Sequence, residues 1–249
     1  PFYFFLREMQ GRPEGHDVLV LRQSLVTIFV LIGAFLVVPL ITLLRRGIAG
    51  KSAATLATPT AYFALLGLGF MLIEMKLLQQ SVLVVGNPTL SLAAVLASLL
   101  LSTGLGALLS QRIARSADPR KRGGQVFLAL LALLLVALFS AERIAEILVA
   151  NGLFLRTLGV VLAIAALGFL LGCPLPLGMW SLRDEEGNAP EGVVAWCWGI
   201  NGMLGVAGSA VAIWISIHHG LRAAFLVGVG CYVLAAALFF FGLTRPRTA

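Results

Sequence analysis

The chain has 249 residues, 59% hydrophobic and 12% charged, with a mean hydropathy of +0.99. Soluble domains carry roughly 25% charged residues, so a soluble globular domain is excluded and a polytopic membrane protein is indicated. The net charge of +7 does not argue for a nucleic-acid partner, because Lys and Arg stand in short segments between apolar runs, where topology and anionic lipid headgroups account for them.

Residues 1–20 open on the aromatic phrase PFYFFLR and continue with mixed charge, Gly and Pro. They read as a linker from an upstream domain, with Phe2, Tyr3, Phe4 and Phe5 at headgroup level, where aromatic rings are favoured. No basic, apolar and small-residue sequence of a signal peptide is seen. Residues 21–249 read as one transmembrane helical domain. Its apolar runs are 24–44, 62–85, 89–109, 126–148, 158–180, 193–217 and 223–243. About 20 residues cross the hydrocarbon core, so seven spans are expected, or six if the first does not cross.

Each run carries its own punctuation. Pro39 lies in the first, and Arg45 and Arg46 close it. Pro59 precedes the second, and Gly86-Asn87-Pro88 ends it with a turn signal. The basic segment 111–125 follows the third. The fourth ends on a polar face of Glu142, Arg143 and Glu146. The fifth contains Pro174 and Pro176, which interrupt helix hydrogen bonding and predict a kink or an unwound turn. The sixth carries Gly199, Gly202, Gly205 and Gly208, and further glycines stand at 67, 69, 104 and 106. Small residues let helices approach closely in lipid, as fixed packing or as seams along which helices rock.

Basic residues are concentrated on one side of this topology: Arg45, Arg46 and Lys51, then Arg112, Arg115, Arg120, Lys121 and Arg122, then Arg183, Arg245 and Arg247. The positive-inside rule places that side, and the C-terminus, in the cytoplasm. With seven spans, residue 1 is then outside.

Chemistry is concentrated in the second run. Glu74 lies near the middle of an apolar helix, where an ionisable group has to face the bundle interior, be paired, or be protonated. It reads either as a cation or proton site or as a fixed interhelical bond to Trp196, Trp198 or Asn201. Lys76 is about 200° around the helix from it, so the two do not pair. Lys76 shares a face with Gln79 and Gln80, a polar stripe able to line a path to the outer surface; alternatively Lys76 snorkels. Asn201 reads as a packing hydrogen bond. Adjacent His218 and His219 read as solvated polar residues at a membrane surface, and Cys173, Cys197 and Cys231 as small buried side chains. No metal-ligand spacing, nucleophile elbow or phosphate loop is present, so no catalytic residue, cofactor or metal is assigned, and an autonomous enzyme is the weakest reading.

Two resemblances can be named. The segments STGLGALLSQRIARSADPRKRGGQVFLALLALLL (102–135) and NGMLGVAGSAVAIWISIHHGLRAAFLVGVG (201–230) make the second to seventh runs similar to one six-helix half of a major facilitator superfamily transporter, with one extra N-terminal helix. The phrases PFYFFLR, YFALLGLGFMLIEMKLLQQ (62–80), CPLPLGMW (173–180) and WCWGINGMLGVAGSAVA (196–212) resemble the C-terminal membrane region of bacterial spermidine synthase-like multi-span proteins. That second resemblance covers most of the chain. It implies a bacterial inner-membrane location, an aminopropyltransferase- or methyltransferase-like domain upstream, and a polyamine-like solute.

The expected function is therefore an integral membrane module that binds or translocates a small cationic solute, with Glu74, Lys76, Gln79, Gln80 and Asn201 as site residues. The expected partners are the bilayer and an upstream domain, a second helical half or a second copy. The alternative is a membrane anchor that only orients a catalytic partner domain.

Overall fold

A computed structural model describes residues 53–116, 118–183 and 192–243, together with Gln23, Val26, Thr27, Val30 and Gly33. The linker 1–20, the acidic segment 184–191 and the basic tail 244–249 lie outside the described residues. So does most of run 24–44, of which the four described residues, with Gln23 just before it, are assigned to helix.

The described chain is helical, with α1 at Ala53–Val85, α2 at Pro88–Ala114, α3 at Pro119–Val149, α4 at Leu153–Leu171, α5 at Pro174–Ser181, α6 at Val193–His219 and α7 at Leu221–Leu238. A π-helical turn, Phe239–Leu243, continues α7. No strand occurs among the described residues. Helices α4 and α5 together make one span, so six stretches are long and apolar enough to cross a membrane. The protein is an all-α membrane bundle.

The turns follow from a few residues. Gly86 takes φ +80° as α1 ends. Asn87 then caps α2, its side chain accepting from the Leu90 N–H at 3.1 Å, with Pro88 in the first turn. A cap satisfies one of the four free N–H groups of a helix start, and Pro has none to lose there. Gly220, at φ +86°, makes the one-residue reversal between α6 and α7. Positive φ of this kind suits a residue without Cβ.

Helix bounds exceed the apolar runs. Helix α1 begins at Ala53, nine residues before the expected start, and includes Pro59. Helix α4 begins at Leu153 rather than 158. The basic segment 111–125 is mostly helix, with Arg112 in α2 and Arg120, Lys121 and Arg122 in α3. Polar turns at the membrane surface continue a helix without raising its hydropathy, so hydropathy does not reveal them. The break in the fifth run is as expected: α4 ends at Leu171 and α5 restarts at Pro174.

Helix α1 is central, packing most extensively on α6 and α7, while α2 packs chiefly on α4. Half of the spanning stretch of α1 is buried, against 22% for the peripheral α3. The core includes a ring cluster of Tyr62, Phe63, Phe127 and Phe239, with Tyr62 and Phe63 edge-to-face at 5.1 Å. The Tyr62 hydroxyl donates to the Pro174 carbonyl at 2.6 Å, fixing the start of α5 to α1.

The glycines do not form one continuous seam. A Cβ on Gly67 would meet the Asn201 carbonyl and stand 3.1 Å from the Gly205 nitrogen, so α1 and α6 touch backbone to backbone there. Gly106 meets the Phe169 carbonyl, and Gly172 meets the Thr103 backbone, joining α2 to α4. Gly208 packs on Leu68 and Met71, while Gly199, Gly202 and Gly104 have nothing within 4 Å. Residues three apart drift about 60° per step around a helix, so four of them cannot all face one partner.

Candidate functional site

The middle of the α1 span, Thr55–Val85, falls at Phe70. Glu74 is four residues further on, roughly 6 Å along the axis. Its side chain is half-buried. None of the three bonds considered for it from sequence is formed. Trp196 donates its indole N–H to the Thr60 hydroxyl at 2.8 Å, Asn201 donates its amide to the Phe63 carbonyl at 3.1 Å, and Trp198 is 56% exposed. Asn201 therefore makes the packing bond expected of it, holding α6 to α1. No hydrogen bond or ion pair to Glu74 is found among the described residues.

On the same face of α1, one and two turns earlier, Phe70, Met71 and Gly67 line an open cleft of about 600 Å³ between α1, α2, the α4–α5 junction and α6. Glu74 stands on this same face, one turn beyond Phe70 and Met71, although it does not itself line the cleft. Thr103, Asn201 and Tyr232 are the polar side chains among the lining residues, beside Trp198 and an otherwise apolar wall. Tyr232 is buried on α7, and its hydroxyl has no hydrogen-bond partner among the described residues. Sequence reasoning did not select Tyr232, because a lone tyrosine in an apolar run carries no spacing signal. The cleft opens where Gly104 and Gly202 leave space on facing helices.

Lys76 lies elsewhere. It is 9% exposed and sets its ammonium 4.8 Å from the centre of the Phe225 ring on α7. It also lines a second, smaller cavity of about 90 Å³ with Gln80 and Ser81, between α1, α3 and α4. Gln80 shares this face and donates to the Ala141 carbonyl at 3.0 Å. Gln79 does not line the cavity. The expected stripe of Lys76, Gln79 and Gln80 is thus reduced to Lys76 and Gln80, since Gln79 sits about 100° from Gln80 around the helix. The angular separation of Glu74 and Lys76 holds, so Glu74 and Asn201 fall on the cleft side of the bundle, Lys76 and Gln80 at the smaller cavity, and Gln79 lines neither.

A charge near the middle of a membrane helix costs about 2.5–3.5 kcal/mol on insertion scales. The Phe225 ring offsets roughly 0.5–2 kcal/mol of that for Lys76. Glu142 on α3 is the carboxylate that acts electrostatically on Lys76, but it is exposed and makes no ion pair with it. The remaining polar groups are at helix ends. His218 and His219 are exposed beside Trp214, with His218 Nδ1 2.9 Å from the Trp214 carbonyl oxygen. Arg143 and Glu146 form an exposed ion pair at 3.7 Å. The three cysteines are buried and unpaired. Among the described residues, no group of three or more His, Cys, Asp or Glu side chains is placed to hold a metal. No family model, no curated protein and no solved structure matches the chain.

Proposed function

We propose that this protein is a membrane module that binds, and in a larger assembly moves, a small solute carrying a cationic group, with the body of the solute in the α1–α2–α6 cleft and its charge at Glu74. What carries the reading is a carboxylate within an apolar span that has no hydrogen-bond or ion-pair partner among the described residues and stands one turn from an open cleft on the same helix face. The predominantly apolar lining favours a body of methylene or aromatic groups, which the chain of a polyamine or alkylammonium supplies. Asn201 Oδ1 and the Tyr232 hydroxyl are the polar groups left to orient it.

The resemblance to spermidine synthase-like proteins supports the same reading, with an upstream synthase-like domain as partner and a cytoplasmic C-terminus in a bacterial inner membrane. A six-helix half does not normally enclose a transport path by itself, so movement of the solute calls for a second half or a second copy.

The test is equilibrium binding of labelled spermidine and of a longer alkylammonium to the full-length protein in lipid nanodiscs. Glu74→Gln removes one charge-assisted contact and is expected to weaken binding about tenfold or more. Unchanged binding in Glu74→Gln would sink the proposal. A second reading, a membrane anchor for a partner domain, draws on the Asn201 amide being used to join helices and on the lack of any catalytic cluster among the described residues. It expects Glu74→Ala to alter stability and leave binding and flux at background.

A further inference from the structure

The cavity on the opposite side of α1 is separate from the cleft and is not used by the function above. Its one charged lining group is Lys76, nine-tenths buried. The ammonium has three N–H donors and no hydrogen-bond or ion-pair acceptor among the described residues. The polar neighbours do not satisfy it. The two side-chain acceptors beside it, Gln80 Oε1 and Ser81 Oγ, receive no hydrogen bond from the ammonium; Gln80 donates its amide to the Ala141 carbonyl at 3.0 Å and Ser81 its hydroxyl to the Leu77 carbonyl at 2.7 Å. The Phe225 ring faces the cation but accepts no conventional hydrogen bond.

The cavity extends from Lys76 toward the Val85 end of α1, past Val84 and Leu148. A volume of about 90 Å³ accommodates a few water-sized bodies, since roughly 10–15 Å³ of this kind of volume suffices for one. An ammonium without an acceptor among the described residues, on the wall of a mostly apolar cavity, calls for a negative charge.

We propose that Lys76 binds a small monovalent anion of the size of chloride or formate in this cavity, so that α1 serves a cationic solute on one face and an anion on the other. The ammonium donates to the anion, Phe225 backs the ammonium, and Gln80 Oε1 or a trapped water takes a further donor.

The experiment uses the full-length protein in zwitterionic nanodiscs in sodium gluconate, with chloride and then formate added at constant ionic strength and the thermal unfolding midpoint recorded. A saturating rise with chloride and with formate is expected. Lys76→Met should lose that response or weaken its apparent affinity about tenfold or more, and Lys76→Arg should keep part of it. Glu142→Gln should leave it in place. If Lys76→Met does not fold, the unaltered protein is compared across anions of rising size, and a rise that falls off from chloride and formate to larger carboxylates supports the site. No response in the unaltered protein, or an equal response in Lys76→Met, overturns the proposal. So does a response only in nanodiscs containing anionic lipid, which would assign the negative charge to a headgroup.

Discussion

The close approach of α1 and α6 at Gly67 makes a sharp prediction. In Gly67→Ala the new Cβ would stand 3.0 Å from the Asn201 carbonyl carbon, nearer still to its oxygen, and 3.1 Å from the Gly205 nitrogen. All three atoms are helix backbone, so no side chain can turn away, and the two helices have to separate. Overpacking in a well-filled interior costs roughly 1–3 kcal/mol, and a backbone obstacle belongs at the upper end. Alanine regains up to about 1 kcal/mol through helix propensity, which leaves a net loss of about 2 kcal/mol. Gly202→Ala, one residue past Asn201 on α6, has nothing within 4 Å of its Cβ and keeps only the favourable term, so it is neutral or stabilising by up to about 1 kcal/mol. Gly104→Ala is expected to behave like Gly202→Ala. Reversible unfolding in mixed micelles, followed by tryptophan fluorescence, compares the three variants with the parent. If Gly67→Ala proves as stable as Gly202→Ala, backbone contact between α1 and α6 is not what sets their distance.

Two other predictions concern buried hydrogen bonds. Tyr62→Phe deletes the bond to the Pro174 carbonyl and leaves that oxygen without its 2.6 Å donor, at a cost of about 1–3 kcal/mol in the same unfolding assay; no loss would mean that α5 is held by ring packing alone. Trp196→Phe and Thr60→Val, combined as a double-mutant cycle, should show a coupling of about 0.6 kcal/mol, the usual size of such bonds inside a membrane bundle. Zero coupling would count against the 2.8 Å contact.

The bundle itself is legible in the sequence because membrane spans declare themselves by length and hydropathy. The 33 residues of α1 show where that legibility ends. Its apolar part is visible from Tyr62, while Ala53–Thr60 has a composition that suits helix and surface turn equally, and only packing in the bundle decides. At the site, the geometry of one ideal helix was enough to separate Glu74 from Lys76. It was not enough to say what stands opposite each. That Lys76 meets Phe225, that Asn201 meets the Phe63 carbonyl, and that Tyr232 reaches the cleft are facts about pairs of helices distant in sequence, and one sequence by itself holds no record of such pairs. The four glycines of α6 illustrate the same limit: their spacing is evident, while their division into contact and cleft positions depends on where α1 crosses.

The backbone contacts at glycine also bear on how the molecule yields under load. Gly106 and Gly172 press α4 against α2, and Gly67 presses α6 against α1. Each pair is therefore stiff, since neither can shift without main chain colliding with main chain. The cleft lies between the two pairs, and Gly104 and Gly202 face it without a neighbour on either side. Main chain blocks movement within each pair, so any room to give lies between them, at the cleft on one side of α1 and at the Lys76 cavity on the other.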